Sequence, residues 1–140
     1  MIQPRYENED FSSKALLLLY LDKADKIEYK VGRTRLKNDI QHICSNLFAE
    51  DIFVPIDFKP FGKDIYSEQL DEDISWHHSI GLIEIKHGLT YKITSEGEEE
   101  VKNPNSVYFT KQEKILGKIE KSIDEVILHK ESLNSWKKKL

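Results

Sequence analysis

The sequence predicts a mainly α-helical fold that carries one small β-hairpin, which places it in the α+β class. Four segments show apolar residues at spacings of three and four, the period of a helix that packs through one face. A fifth segment, residues 82–94, alternates apolar and polar residues around His87-Gly88, a pattern typical of two strands joined by a tight turn. We therefore expect a row of helices with one hairpin before the last helix.

The composition favours one intracellular domain. Of the 140 residues, 39% are apolar and 33% are charged, and the formal net charge is −4. A chain of this length buries roughly 68% of its unfolded surface, which suffices for one core without disulfides. Cys44 is the single cysteine, the longest apolar run spans only residues 15–21, and no secretory signal pattern opens the chain. These observations predict a cytoplasmic protein with no membrane partner.

The start of the chain predicts an arm followed by a helix. Residues 1–11 are polar and aperiodic, so we expect a flexible N-terminal arm. Ser12 or Ser13 fits the N-cap of a first helix of about three turns, whose many leucines indicate burial on more than one side. Residues 27–31 predict a short strand that ends at Gly32.

The next segments predict a helix, a loop and a third helix. Thr34 is the expected cap of a second helix over residues 35–50. Prolines interrupt residues 51–66, so we expect a long loop pinned to the core by its own aromatic side chains. Ser67 caps a third helix that ends at Gly81. The expected inner face of that helix is Leu70, Ile74, His77 or His78, and Ile80.

The C-terminal segment, residues 104–140, predicts one long helix that begins at the cap Thr110 and follows a short acidic turn capped by Thr94. Its apolar residues have heptad-like spacing, so its predicted role is pairing with a second copy of the chain. The predicted dimerisation residues are Leu116, Ile119, Ile123, Val126 and Leu133. The alternative is that the helix folds back over the first helix of its own chain.

Two phrases carry a resemblance to a known fold. The phrase SIGLIEIKHGLTYKITSEG, residues 79–97, resembles the end of the recognition helix and the wing of winged-helix domains. The phrase FKPFGKDIYS, residues 58–67, resembles the loop of an archaeal and bacterial winged-helix group related to the SocA-like antitoxin (Panacea) domains. The last helix is placed like the dimerisation helix of PadR-type regulators. The resemblance implies a winged-helix domain over residues 12–103 and a transcriptional regulator that binds double-stranded DNA as a dimer.

The distribution of charge indicates where DNA would bind. The sequence pI of about 5.8 disfavours a protein coated in positive charge, but residues 23–37 alone carry a charge of +4. Phosphates are bound by cations and by helix N-termini. The predicted DNA-contacting residues lie at the start of the second helix and in the wing, and are Lys30, Arg33, Thr34, Arg35, Lys37, Lys86, His87 and Lys92. The alternative is that this basic segment is an ordinary solvated surface.

The charge of the third helix is unfavourable for reading DNA bases. It presents four carboxylates within six residues: Glu68, Asp71, Glu72 and Asp73. Such a cluster repels phosphate, so the alternative function is a winged-helix protein-interaction module that docks a partner through this acidic helix and the aromatic loop. A further possibility is a small-molecule sensor that uses the apolar loop as a pocket wall.

The sequence offers little for catalysis or metal binding. His42 and Cys44 are two residues apart on a helix and point about 200° away from each other. Asp73 and His77 are four apart and are expected to form a surface or boundary ion pair. The spacings typical of nucleophile elbows, phosphate-binding glycine loops and zinc fingers are missing. We expect no enzyme activity, no metal site and no cofactor.

Overall fold

The computed structural model of the chain describes residues 9–87, 89–103, 106 and 113–139, with side chains over 11–87, 89–103, 106 and 115–129. The helices are α1 (Ser13–Lys26), α2 (Arg33–Phe48), α3 (Glu68–Ser79), α4 (Ser95–Lys102) and α5 (Glu113–Lys139). The strands are β1 (Glu9–Asp10), β2 (Ile52–Phe53), β3 (Lys59–Phe61), β4 (Asp64–Tyr66), β5 (Ile83–Lys86) and β6 (Thr90–Ile93). The described part is therefore mainly helical with small sheets, which confirms the α+β class.

Helix α1 is the centre of the core. The Ser12 Oγ accepts a hydrogen bond from the Ala15 N–H at 3.2 Å, so the predicted cap is confirmed. All side chains over residues 15–21 are buried, and α1 contacts α3, α4, α5 and β6. A helix that is apolar around its whole circumference requires such cover, as the leucine density predicts.

The segment between α1 and α2 differs from its prediction. Residues 27–31 do not form a strand, because Glu28 has φ 54°, outside the range of extended backbone. Only Gly32 makes a bridge, to Thr90, and the neighbouring Tyr91 N–H donates to the Val31 carbonyl at 2.9 Å. Helix α2 then begins at Arg33 with Gly32 as its N-cap, so the prediction that Thr34 caps this helix is wrong.

The end of the predicted N-terminal arm belongs to the core. Strand β1 pairs in parallel with β2, and the Phe11 N–H donates to the Phe53 carbonyl at 2.8 Å. The Phe11 side chain is fully buried. Removing a large apolar ring from water stabilises the fold, and the polar residues around Phe11 in the sequence do not reveal this contribution. A flexible arm over residues 1–11 is therefore wrong for residues 9–11, and residues 1–8 lie outside the described part.

Residues 51–66 contain strands instead of a featureless loop. Strands β3 and β4 form an antiparallel hairpin that turns at Gly62, where φ is +61°. The predicted pinning of the loop by aromatic side chains is wrong for Phe53, Phe61 and Tyr66, which are exposed. The hairpin is held instead by the Lys37 ammonium, which lies 2.8 Å from Asp64 Oδ2 and donates to the Ile65 carbonyl at 3.0 Å.

Helix α3 and the second hairpin follow the prediction closely. The Ser67 Oγ accepts from the Leu70 N–H, and Gly81 leaves the helix at φ +83°. Strands β5 and β6 pair antiparallel from Ile83 opposite Ile93 to Lys86 opposite Thr90. Of the predicted inner face, Leu70 and His77 are buried and Ile74 is partly buried, whereas Ile80 is exposed.

Helix α5 packs on its own chain, against α1 and α2. Three of the predicted dimerisation residues, Ile119, Ile123 and Val126, are at most 2% exposed in this packing, so assigning them to a dimer interface is wrong. The same apolar stripe can pack against a second copy of the chain or against its own chain, and here the leucines of α1 provide the partner within the chain. Leu116 is partly buried against the core, whereas the Leu133 side chain and the cap Thr110 lie outside the described residues.

Candidate functional site

The hairpin β5–β6 and the end of α1 enclose a groove of about 340 Å³, which we call the basic groove. Its third side is the loop that joins α1 to α2. Four of the predicted DNA-contacting residues line it: Lys30, Lys86, His87 and Lys92. Tertiary packing therefore brings together cations that lie more than fifty positions apart in the sequence.

The floor of the basic groove is made of core side chains. It consists of Leu21, Ala24, Tyr29, Val31 and Tyr91, all buried. The Tyr29 hydroxyl donates to Asp39 Oδ2 at 2.8 Å, and the same oxygen accepts from the Tyr20 hydroxyl at 2.6 Å. The Arg35 guanidinium lies 4.7 Å from the centre of the Tyr29 ring. Tyr29 is thus fixed at both its ring and its hydroxyl.

Sequence reasoning missed this tyrosine and its carboxylate partner. Asp39 is fully buried on α2, three residues after the buried Leu36. A carboxylate on an apolar helix face requires hydrogen-bond donors, so its position was the signal that a polar contact lies beneath α2. The identity of the donors, one from α1 and one from the following loop, depends on packing.

The rim of the basic groove is charged and half exposed. Lys92 lies 3.6 Å from Asp25, and Lys86 lies 3.5 Å from Glu84. Both lysine side chains remain nearly half exposed, so these contacts neutralise them only in part. Two residues of the rim, Glu28 and His87, have left-handed backbone with φ of 54° and 47°. Such conformations are costly for residues with a side chain and concentrate at functional sites.

The first turn of α2 lies next to this rim. Arg33 and Thr34 are exposed there, and Gly32 has no side chain with which to cap the helix. The Arg35 Nη1 donates to the Lys30 carbonyl at 3.0 Å, which ties the start of α2 to the groove loop. The turn therefore offers backbone N–H groups beside an exposed guanidinium, an arrangement that favours an anion.

Lys37 does not belong to this surface. Its side chain is only 15% exposed and faces the hairpin β3–β4, where it pairs with Asp64. The hydrogen bond from Lys37 holds the pKa of the Asp64 carboxyl below its usual value, with a second bond from the Ile65 N–H acting in the same direction. Its predicted role as a DNA contact has no support from this geometry, because Asp64 and the Ile65 carbonyl occupy its ammonium.

A second surface, which we call the acidic cleft, lies between α3 and residues 53–59. It has a volume of about 510 Å³ and combines exposed rings with carboxylates. Its apolar lining is Phe53, Pro55, Ile56 and Tyr66, and its polar lining is Asp57, Glu68, Glu72, Gln69 and Lys59, so the lining has a net charge of −2. Desolvation and the negative charge of α3 raise the pKa of the Tyr66 phenol. The cleft thus favours a cation with an apolar body.

Asp73 and His77 serve the core and not this cleft. Both are fully buried, so the prediction of a surface or boundary pair is wrong. Asp73 accepts from the Lys14 Nζ at 3.1 Å and from the Gln69 Nε2 at 2.9 Å, and the His77 Nε2 donates to the Lys14 carbonyl at 2.8 Å. Burial lowers the pKa of His77, which keeps its ring neutral in the core. Together they attach α3 to α1.

Comparison of the chain with protein-family models, curated proteins and solved structures gave no match. Within the described residues, no helix has both the length and the apolar character needed to span a bilayer. The assignment of function therefore depends on the two surfaces themselves.

Proposed function

We propose that the chain is a binding protein, not an enzyme: a cytoplasmic winged-helix transcriptional regulator that contacts double-stranded DNA. The order of elements supports the fold, because α1, α2 and α3 precede the hairpin β5–β6, and the Gly32 bridge to Thr90 stands where a first short strand would. The observation that carries the function is the basic groove beside the first turn of α2. Two separated elements thereby present cations and helix N–H groups side by side, as backbone phosphates require.

The proposed contact is mainly with the phosphate backbone. The exposed face of α3 carries Glu68 and Glu72, which repel phosphate at close range. Arg33 and Lys30 are exposed and therefore available, whereas Lys37 is not. We expect binding with little sequence preference and strong salt dependence, because counterion release drives phosphate contacts.

The test is the salt dependence of DNA affinity. In the variant Lys30→Gln, Arg33→Gln, Lys86→Gln, we expect the slope of log affinity against log salt to become shallower by about 0.9 for each phosphate that the protein no longer neutralises. Fluorescence anisotropy of a labelled duplex at several salt concentrations measures it. Lys63→Gln, an exposed charge on the hairpin β3–β4, is the matched control and should leave the slope unchanged. No binding by the wild type, or an unaltered slope in the variant, contradicts the proposal.

A homodimer remains part of this proposal, with a different interface. Two weak half-site contacts reinforce each other when they are linked, because the second contact forms at high effective concentration. The buried stripe of α5 is used within the chain, so pairing requires another face, for example the one that carries the exposed Leu128.

A second candidate function is docking of a protein partner, and the acidic cleft is the observation that favours it. Exposed aromatic rings beside three carboxylates are suited to a basic, partly apolar segment, because aromatic residues anchor interfaces and complementary charge steers the encounter. This partner would bind to α3 on the side where DNA is disfavoured. Charge reversal on the outer face of α3 therefore distinguishes this function from DNA binding.

A further inference from the structure

We propose that the basic groove binds a small organic anion with a flat apolar body, such as an aromatic carboxylate or sulfonate. The groove has about 340 Å³, within the range of small-molecule sites, and it combines an apolar floor with a few polar groups at the rim. Binding of such a molecule does not require that the protein bind DNA.

The floor selects for a flat apolar body. Two aromatic residues, Tyr29 and Tyr91, line it together with Leu21, Ala24 and Val31, so a ring placed there is shielded from water on one face. The floor residues are part of the core and do not need to be ordered on binding. That saves the entropy that mobile side chains lose when they are fixed around a ligand.

The rim selects for negative charge. Its lining has three ammonium groups, from Lys30, Lys86 and Lys92, against the two carboxylates of Asp25 and Glu28, and the Glu84 carboxylate lies 3.5 Å from the Lys86 ammonium outside this lining. The Lys92 contact with Asp25 is 3.6 Å long and half exposed, so Lys92 can turn to an anion at little cost. A carboxylate or sulfonate above the floor would therefore meet lining residues whose net charge is +1.

The backbone of the groove is held in a costly conformation. Glu28, in the loop between α1 and α2, and His87, in the turn of the hairpin β5–β6, are two of the three non-glycine residues with positive φ in the described part of the chain. Strained backbone persists where surrounding packing enforces it, and it is concentrated at binding sites. The backbone conformation of these two residues, and not only their side chains, therefore determines the shape of the groove opening.

One consequence rests on the proposed function. The lysines that would hold the anion are those proposed to contact DNA phosphate, so the anion and DNA would compete for them. The two proposals are tested separately: anion binding is measured without DNA, and the salt slope above is measured without the anion.

The test uses anilinonaphthalene sulfonate, an anion with planar aromatic rings whose fluorescence rises when those rings leave water. We expect saturable binding at one site by the wild-type chain. The variant Lys30→Gln, Lys86→Gln should bind about tenfold or more weakly, because it removes charge-assisted contacts. Thr90→Trp keeps every charge but fills the groove with an indole, and it should abolish binding.

The control variant is Lys63→Gln, Lys102→Gln, which removes two exposed charges that do not line the groove. It should bind the probe as the wild type does, and thermal unfolding of each variant shows whether it is folded. Absence of saturable binding overturns the proposal. Equal binding by the wild type, the lysine variant and Thr90→Trp overturns it as well, since the probe would then lie elsewhere.

Discussion

Gly97 is a position where one missing atom decides the packing. A Cβ atom there would lie 2.2 Å from the Leu82 carbonyl oxygen and 2.6 Å from Ile93 Cγ1. The close approach follows from Thr94, whose hydroxyl donates to the Gly81 carbonyl at 2.6 Å and accepts from the Gly97 N–H at 3.1 Å. The Thr-x-x-Gly spacing of the sequence thus attaches the start of α4 directly to the strands β5 and β6.

We expect Gly97→Ala to destabilise the fold by about 1–3 kcal/mol, because the clash is with backbone that no rotamer change relieves. Denaturant unfolding followed by circular dichroism measures it. Gly117→Ala is the matched control: it lies inside α5 with nothing within 4 Å of the added atom, so it should stabilise the helix by up to about 1 kcal/mol. A neutral Gly97→Ala would show that α4 is not held against Leu82.

The contrast between Lys37 and Lys30 shows a limit of sequence reasoning for single residues. Both lie in the same basic segment and have the same chemistry. Lys37 pairs with Asp64, which lies twenty-seven positions later, while Lys30 is exposed at the groove. No local pattern predicts that pairing, since ion pairs over such separations depend on where the intervening hairpin folds.

At the scale of elements, α3 has two faces with opposite roles. Leu70, Asp73 and His77 attach it to α1, whereas Glu68, Glu72 and the exposed Trp76 face outward. The caps, the end at Gly81 and the charge of the outer face were all predictable from the sequence. The burial of Asp73 was not, because its main partner, Lys14, comes from a helix fifty-nine positions earlier.

The docking function predicts that charge reversal on the outer face of α3 abolishes binding of a basic ligand. We expect Glu68→Lys, Glu72→Lys to lose affinity for a labelled oligolysine peptide that contains tryptophan, because both carboxylates line the acidic cleft. Fluorescence anisotropy at low salt measures it. The control Glu99→Lys, Glu125→Lys makes the same change in net charge on residues of α4 and α5 that lie outside the cleft. An equal decrease in affinity in both variants would contradict a specific cleft.

For the whole molecule, the net charge says little about which partners the surface favours, whereas the distribution of charge along the chain is informative. The value of −4 conceals a charge of +4 over residues 23–37, −4 over 68–73 and −4 over 96–100. The fold places Lys30 of the positive block and the lysines of the hairpin β5–β6 around one groove, and it leaves Glu68 and Glu72 of α3 at a separate cleft. The molecule therefore presents two surfaces of opposite preference, which suits two different partners.

The packing of α5 on its own chain predicts how unfolding depends on protein concentration. Ile123→Ala should cost about 2–5 kcal/mol, as expected for a large side chain removed from a core. This cost should be the same at low and high protein concentration, whether or not the chain dimerises through another face, since the Ile123 contact lies within one chain. The control Leu128→Ala, at a side chain 52% exposed on the same helix, should change stability little. A cost of Ile123→Ala that grows with protein concentration would support pairing through the α5 stripe.

The sequence by itself determined the helices α1, α2, α3 and α5, the caps Ser12, Ser67 and Thr94, the hairpin β5–β6 and the segregation of charge. Each of these depends on residues within a few positions of one another, through caps, turns and the period of an apolar face. Only the tertiary structure decided that Ile119 and Ile123 face α1 and α2 of their own chain, that Lys37 is neutralised, and that Lys30 and Lys86 meet across a groove. These contacts join segments that are distant in the sequence. An apolar stripe or a lysine is compatible with several partners, and only the packing of the whole chain selects one of them.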